Sequence, residues 1–248
     1  MAKVISLINH KGGVGKTTST LNLGKALTLC KQKVLIIDID PQANLSQSVG
    51  IENPEESMYE VLCEDNNKLP ISKIETNFDI LPSELSLSTA ETKLISEQVT
   101  GYFKLKNALE PVVDTYDYIL IDCPPSLGIL TINALIASDE IIIIVEPQYL
   151  AIKGLQTIID MYQRINKNLG KNIKIAGMLF TQFNRTVISK NIIEQVQAKY
   201  PETTFETIIR QSVKVTEASA VKKDIFDYDN ESSPAEDYLN LAKEILNK

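Results

Sequence analysis

The sequence HKGGVGKTT occupies residues 10–18, between an apolar run at residues 2–9 and a run with helical apolar spacing at residues 21–27. A strand, a glycine-rich turn and the start of a helix form the P-loop arrangement. The glycines let successive backbone N–H groups point inward at phosphate oxygens, and the helix N-terminus adds partial positive charge there. We therefore expect the following residues to bind a nucleotide: Lys11, Gly12, Gly13, Val14, Gly15, Lys16, Thr17 and Thr18.

Two side chains of this loop suit a triphosphate with a bound metal ion. Lys16 can reach the β- and γ-phosphates, and the Thr17 hydroxyl can ligate Mg²⁺. The loop departs from the general pattern G-x-x-x-x-G-K-[ST], because His10 stands in the place of the first glycine. It also has a second lysine, Lys11, near its start, which the general pattern does not explain.

Strand-like and helix-like segments alternate along the rest of the chain. The strands predicted after residues 2–9 cover residues 33–40, 78–82, 116–122, 140–147, 173–181 and 205–209. The helices predicted after the P-loop helix cover residues 58–64, 84–97, 102–113, 128–138, 151–168, 187–199, 213–222 and 234–247, with loop or short turns at 41–57. Continuous apolar strands are typical of an α/β fold with a mostly parallel, twisted sheet flanked by helices on both faces. Because no linker, repeat or low-complexity segment interrupts the pattern, we predict a single domain over residues 1–248.

Composition narrows the class of protein. The chain has 248 residues, 44% of them apolar, and a net charge of −7, which disfavours a generic nucleic-acid binder. The three cysteines are far apart and lack zinc or iron–sulfur spacing, so we expect reduced thiols in a cytoplasmic protein. No apolar run approaches the roughly 18 residues of a membrane-spanning helix. The first strand begins almost at once, so we expect no signal peptide.

Acidic residues stand at the ends of two predicted strands. Asp38 and Asp40 end the second strand, within the sequence DIDPQ, and Asp122 ends the strand ILID, which Pro124 and Pro125 stop. Ligands of parallel sheets bind at the carboxyl ends of the strands. We therefore expect these carboxylates near the P-loop.

The loop KGGVGKTT, the sequence DIDPQ and the strand ILIDCPP resemble, in this order, the deviant Walker A motif, the second signature and the Walker B strand of the ParA/MinD superfamily of dimeric ATPases. The resemblance covers the whole chain. It implies ATP and Mg²⁺ as cofactors and hydrolysis of ATP to ADP and phosphate. It also implies that Asp40 orients or deprotonates the attacking water and that Asp122 holds Mg²⁺ through a water. Asp38 is expected to lie near the P-loop without contacting the reacting atoms. The implied metal site consists of Thr17, Asp40 and Asp122.

The resemblance also implies a role for Lys11. In this superfamily the extra lysine crosses a dimer interface to the partner's nucleotide, so that two protomers enclose two ATP molecules. A cation supplied in this way acts like an arginine finger. The implied catalytic residues are thus Lys11, Lys16 and Asp40, and Gly12 is expected to lie against the partner's phosphates, where a side chain would clash. The alternative for Lys11 is a solvated loop cation.

Two later segments are expected to complete the site. Family members contact adenine from the loop after the strand at 173–181 and from a segment near residues 210–212. The implied adenine contacts come from Arg210 and Ser212, although many relatives have Pro-Arg-Asn where this chain has Arg-Gln-Ser.

The chain resembles the single-domain partition ATPases of the ParA/Soj type. The match implies a slow ATPase that cycles between a monomer and an ATP-bound homodimer, segregates a chromosome or plasmid, and is stimulated by a ParB-like partner protein. Membrane-bound relatives of the MinD type end in a basic amphipathic helix, whereas residues 234–248 are acidic to neutral. We therefore expect no membrane partner and a location in the cytoplasm, including the nucleoid. The alternative is a nucleotide-switched factor that recruits a protein, with little turnover and no DNA contact.

Non-specific DNA binding by the ATP dimer is the point at which this chain departs from its relatives. Several relatives place arginines before the last helix, whereas residues 224–237 carry acids and no cation. Lys214, Lys222 and Lys223 lie on or beside one predicted helix and can form a patch that dimerisation doubles. We expect weak, salt-sensitive DNA binding there. The alternative is that these lysines are solvated surface charges.

Overall fold

An eight-stranded sheet lies at the centre of the computed structural model, which describes residues 1–64, 68–148 and 151–248. The strands are β1 Lys3–Ile8, β2 Val34–Asp38, β3 Ser72–Glu75, β4 Phe78–Leu81, β5 Tyr118–Asp122, β6 Glu140–Val145, β7 Lys174–Phe183 and β8 Thr204–Arg210. Their order across the sheet is β3-β4-β2-β5-β1-β6-β7-β8. Within the described ranges every neighbouring pair is parallel except β3 and β4, so the predicted mostly parallel sheet is confirmed.

Helices cover both faces of the sheet. In the described part of the chain they are α1 Lys16–Leu29, α2 Asn44–Ser48, α3 Met58–Cys63, α4 Leu87–Ser96, α5 Lys104–Leu109, α6 Ile129–Ala137, α7 Ala151–Leu169, α8 Val187–Lys199, α9 Val213–Ala220, α10 Ile225–Asp229 and α11 Ser233–Leu246. Helices α1, α2 and α9–α11 pack on one face, and α3–α8 pack on the other. None of these described helices is long and apolar enough to cross a bilayer.

The central strands are buried on both faces, which explains their continuous apolar sequences. In β1, Val4 and Ile8 face the layer of α3–α8, whereas Ile5 and Leu7 face the layer that contains α1. All four residues are at most 4% exposed. Full burial of a side chain of this size contributes about 1.5–3 kcal/mol, so each strand helps to hold both helical layers.

The structure differs from the sequence-based prediction where elements are short and polar. β3 was not predicted, because its sequence SKIE is not an apolar run. α10 has only five residues and begins where Asp224 accepts hydrogen bonds from the N–H groups of Phe226 and Asp227. The helix predicted at residues 102–113 is reduced to α5, and Pro111, which has no N–H to continue a helix, lies in the turns that follow.

Helix α1 lies close to the sheet, and Gly24 marks a point of tight contact. A Cβ atom on Gly24 would lie 2.8 Å from Cε2 of Phe78 and 2.9 Å from Cγ2 of Ile36. Real Cβ atoms do not approach other atoms so closely. The missing side chain therefore lets α1, which begins at the P-loop, rest directly on β2 and β4.

The methyl group that Gly24→Ala adds overpacks the contact with Phe78 and Ile36, which costs about 1–3 kcal/mol. Because this cost outweighs the gain of about 1 kcal/mol in helix propensity, we expect the free energy of unfolding to fall by up to about 2 kcal/mol. Urea unfolding would measure the change. Gly12→Ala is the control, since its Cβ would come no closer than 4.0 Å to Pro125. Wild-type stability in Gly24→Ala would contradict the tight packing.

Candidate nucleotide-binding site

The acidic residues predicted for the site meet the P-loop at one edge of the sheet. Parallel pairing sets Leu7 of β1 beside Asp122 of β5, and Asp122 beside Asp38 of β2. The P-loop follows β1 directly, and Asp40 follows β2. The loop and the carboxylates therefore lie at the carboxyl ends of three adjacent strands, where ligands of parallel sheets bind.

The P-loop has the backbone shape that phosphate binding needs. Gly13 and Gly15 have φ angles of 75° and 89°, in the left-handed region that glycine adopts without strain. Gly15 is the N-cap of α1 and has no side chain that could occupy the first N–H groups of the helix. These N–H groups and the positive end of the helix dipole are thus available to phosphate oxygens.

Lys16 lies over this loop. Its Nζ donates a hydrogen bond to the carbonyl oxygen of Lys11 at 3.1 Å, and the residue is only 6% exposed. Burial lowers the pKa of Lys16, and the negative charges of Asp122 and Asp40 oppose this shift. A bound phosphate would stabilise the buried ammonium in the same way as these carboxylates.

Thr17 and Asp122 form the part of the site that fits a magnesium ion. Thr17 Oγ1 donates to Oδ2 of Asp122 at 2.6 Å. Oδ1 of Asp122 is buried and has no hydrogen-bond partner among the described residues. Burial, followed by the negative charge of Asp38, raises the pKa of Asp122 well above its ordinary value. A divalent cation, directly or through its water, would satisfy the unpaired oxygen and supply the missing positive charge.

Asp40 lies beside this pair and is held by hydrogen bonds. Its N–H donates to Oδ1 of Asp38 at 3.1 Å, and its own Oδ1 accepts from the N–H of Gln42 at 2.9 Å. Asp40 is 7% exposed, whereas Asp38 is fully buried, and burial raises the pKa of Asp38 to about 6. Asp38 thus supports the loop that carries Asp40.

Lys11 makes contacts outside the phosphate loop. Its Nζ lies 2.9 Å from Oε2 of Glu146 and 2.8 Å from Oε1 of Gln148, in the segment after β6. Its side chain is 51% exposed, in contrast to the buried Lys16. The sequence analysis missed Glu146 and Gln148. The sequence did contain a signal for Glu146, because this acid stands at the end of the most apolar predicted strand.

A cleft of about 500 Å³ opens beside the P-loop, between the ends of β7 and β8. Thr181 Oγ1 donates to the carbonyl oxygen of Val14 at 2.7 Å, and Gln182 Nε2 donates to that of Gly13 at 2.6 Å. Two side chains of β7 therefore hold the loop from this side. The position and size of the cleft suit the nucleoside part of a nucleotide.

Arg210 and Ser212 both line this cleft, but their polar groups also bind within the chain. The Arg210 guanidinium donates to the carboxylates of Asp237 and Glu236 in α11, which raise the pKa of Arg210 above its ordinary value. Ser212 caps α9 by accepting from the N–H of Lys214. Adenine contacts stay a prediction, and Arg210 would have to share its donors between α11 and the base.

The three lysines predicted to bind DNA have different surroundings. Lys214 Nζ lies 3.1 Å from Oε2 of Glu217, and Lys222 pairs with Glu52. Lys223 is exposed. Acidic neighbours weaken the positive potential at two of these three positions.

Two acids of residues 224–237, Asp224 and Asp227, form ion pairs with the buried side chain of Lys25. Lys25 of α1 has a side chain that is only 6% exposed, and its Nζ lies 3.7 Å from Asp224 and 3.1 Å from Asp227. Glu75 of β3 approaches the same ammonium at 2.7 Å. These charges thus tie the acidic segment at residues 224–237 to α1.

The chain is similar in sequence to known proteins over nearly its whole length. A family model described as an AAA domain matches residues 2–175. The chain is 41% identical over 250 residues to the sporulation initiation inhibitor protein Soj of Bacillus subtilis, covering 99% of this chain and 98% of that protein. It is 38% identical over 250 residues to the chromosome-partitioning ATPase Soj of Treponema pallidum, with the same coverage of 99% and 98%. The chain belongs to the ParA/Soj family.

A solved structure with a similar fold is cobyrinic acid a,c-diamide synthase from Mycobacterium smegmatis with a bound ATP analog and magnesium. The TM-score is 0.86 at 28% identity, over 99% of this chain and 95% of that one. As a member of the ParA/Soj family, this chain is an ATPase that converts ATP and water to ADP and phosphate, with Mg²⁺ and ATP as cofactors. The family and fold predicted from the motifs are confirmed.

We expect Lys16→Ala to lower ATP affinity by about 100-fold, because it removes a charged hydrogen-bond donor worth up to about 3 kcal/mol to the phosphates. Isothermal titration with Mg-ATP would measure this loss. Lys73→Ala removes the same charge from an exposed position on β3, at the outer edge of the sheet, and should bind ATP normally. Unchanged affinity in Lys16→Ala would rule out this loop as the phosphate site.

Proposed function

We propose that this chain is a slow, dimerising Mg-ATPase that segregates or positions DNA, with a chromosome or plasmid as cargo. The phosphates bind the P-loop under Lys16, and the nucleoside enters the cleft lined by Arg210 and Ser212. Thr17 and Asp122 would bind the Mg²⁺ ion that accompanies the triphosphate. Bound Mg²⁺ supplies positive charge to the phosphate oxygens as negative charge develops.

In this proposal Asp40 orients or deprotonates the water that attacks the γ-phosphate. Its burial and the hydrogen bonds to its loop support this role, because phosphoryl transfer depends mainly on positioning and charge stabilisation. The charge of Asp40 also acts on both Lys16 and Asp122. This supports a place for Asp40 beside Thr17 and Asp122 at the metal.

The difference between the two P-loop lysines carries the proposal of a dimer. Lys16 is buried over the loop, whereas Lys11 is half exposed and contacts Glu146 at the surface. Gly12 has room for a side chain within its own chain, since a Cβ there would come no closer than 4.0 Å to Pro125. An exposed lysine next to a residue without a side chain supports the close approach of a second copy. Lys11 would then contact the triphosphate bound to that second copy.

We expect Asp40→Ala to bind ATP but to lower kcat by about 100- to 10,000-fold, the range for loss of a general base. Because ATP then persists, size-exclusion chromatography should show a lasting dimer. Asp40→Asn keeps an oxygen that can accept from Gln42 and removes only the charge, so it should behave in the same way. Normal turnover in either variant would refute the role of Asp40.

We expect Lys11→Ala to bind ATP as a monomer and to lose about 1,000-fold or more in kcat, as for a missing arginine finger. Gly12→Ala should also stay monomeric with ATP, because a Cβ at residue 12 comes no closer than 4.0 Å to Pro125 in its own chain but would meet the partner's phosphates. Light scattering with ATP and with ADP would measure the mass. A normal ATP dimer in both variants would exclude the contact in trans.

The proposal includes a ParB-like activator and non-specific DNA as partners, with DNA contacts from Lys214, Lys222 and Lys223. Relatives named for chromosome partitioning support this choice. The second candidate is a nucleotide-switched factor that recruits a protein without touching DNA. The pairing of Lys214 and Lys222 with acids is the observation that favours it.

We expect the ATP-loaded protein to shift plasmid DNA at low salt and to lose the shift near physiological salt, because log K falls by about 0.9 per neutralised phosphate for each unit of log salt. Lys222→Glu combined with Lys223→Glu should abolish the shift and leave ATP affinity unchanged. Lys31→Glu combined with Lys73→Glu makes the same charge change elsewhere on the surface and should keep it. Absence of a shift at low salt would favour the recruiting factor.

A further inference from the structure

The main chain of Asp40 is held on both sides. Its N–H donates to Oδ1 of Asp38 at 3.1 Å, and its carbonyl oxygen accepts from Oγ of Ser83 at 2.9 Å. The N–H of Ala43 donates to the same carbonyl oxygen at 2.9 Å. Ser83 follows β4, so a residue from a different strand reaches the loop of Asp40.

Ser46 of α2 closes these contacts into a ring. Its Oγ donates to Oδ2 of Asp38 at 2.7 Å and accepts from the N–H of Ser83 at 2.9 Å. Ser83 then bonds to Asp40, and Asp40 bonds back to Asp38. The four residues are at most 7% exposed, so little water competes for these hydrogen bonds.

This ring joins the end of β2 and the start of α2, which are close in sequence, to the loop after β4, which is not. Ser83 is 1% exposed and contacts the carbonyl oxygen of Asp40 through its hydroxyl, by a single hydrogen bond. The direction of a carboxylate depends on the backbone that carries it. A group that holds the peptide of Asp40 therefore also directs its side chain.

We propose that Ser83 is a positioning residue for ATP hydrolysis, which holds the main chain of Asp40 so that the carboxylate meets the attacking water. The proposal rests on the role proposed for Asp40. The hydroxyl of Ser83 bonds to the main chain of Asp40, so Ser83 acts through Asp40. A misplacement of about 1 Å can reduce a rate by about 100-fold, so loss of this bond affects turnover rather than binding.

Ser83→Ala removes the hydroxyl and keeps the N–H that bonds to Ser46. We expect kcat to fall by about 10- to 100-fold, while the affinity for ATP stays within about twofold. Ser138→Ala is the matched control, because Ser138 is 5% exposed and its hydroxyl bonds to Ser6 and to the carbonyl of Ala134, before the start of β6. This control should keep its kcat even if both variants lose similar thermal stability.

A double variant separates positioning from a general structural effect. Asp40→Ala combined with Ser83→Ala should release labelled phosphate in a single turnover no more slowly than Asp40→Ala alone, because Ser83 acts through Asp40. Ser46→Ala removes two other bonds of the ring, to Asp38 and from the N–H of Ser83, and should reproduce the loss of kcat. It provides the test if Ser83→Ala does not fold.

The possible failures can be distinguished. Normal kcat in Ser83→Ala, a parallel loss of kcat and ATP affinity, or a further loss in the double variant would overturn the positioning role. Normal turnover in Asp40→Ala would instead overturn the role of Asp40 itself.

Discussion

The parallel pairing of β5 with both β1 and β2 is the constraint on which the site depends. The register sets Leu7, Asp122 and Asp38 in one row across the three strands, so the P-loop and two acidic strand ends open at the same edge. Parallel neighbours need a crossover connection, and helix α1 belongs to the crossover that leaves β1. The same backbone therefore builds the sheet and presents a helix N-terminus to the phosphates.

This edge gathers buried charges of both signs. Burial raises the pKa of Asp122 and of Asp38, and it lowers the pKa of Lys16. Each group is thus less stable in its charged form than it would be in water. A metal–phosphate complex brings a cation to Asp122 and anions to Lys16, so binding offsets an electrostatic cost that the fold carries without the ligand.

Helix α1 links this edge to the C-terminal helices. Ser19 hydrogen-bonds to Tyr238 of α11 at 3.1 Å, and Asn22 accepts from the N–H of Ile225 in α10 at 2.7 Å. Lys25, one turn further along, binds the acids at the start of α10. The helix whose first turn meets the phosphates is therefore held along its length, which keeps the P-loop at a fixed place on the sheet.

By itself, the sequence determined the P-loop, the parallel sheet and the positions of Asp40 and Asp122 at its edge. Each of these follows from a local pattern, namely glycine spacing, continuous apolar runs or an acid at a strand end, and parallel strands bring their ends together. Short polar elements such as β3 and α10 lack such a pattern. Only the tertiary structure decided which distant partners meet: Ser83 reaches Asp40 across 43 positions, and Thr181 reaches Val14 across 167. A hydroxyl bonds to whichever polar group packing brings within about 3 Å, and that choice depends on the whole fold rather than on neighbours in sequence.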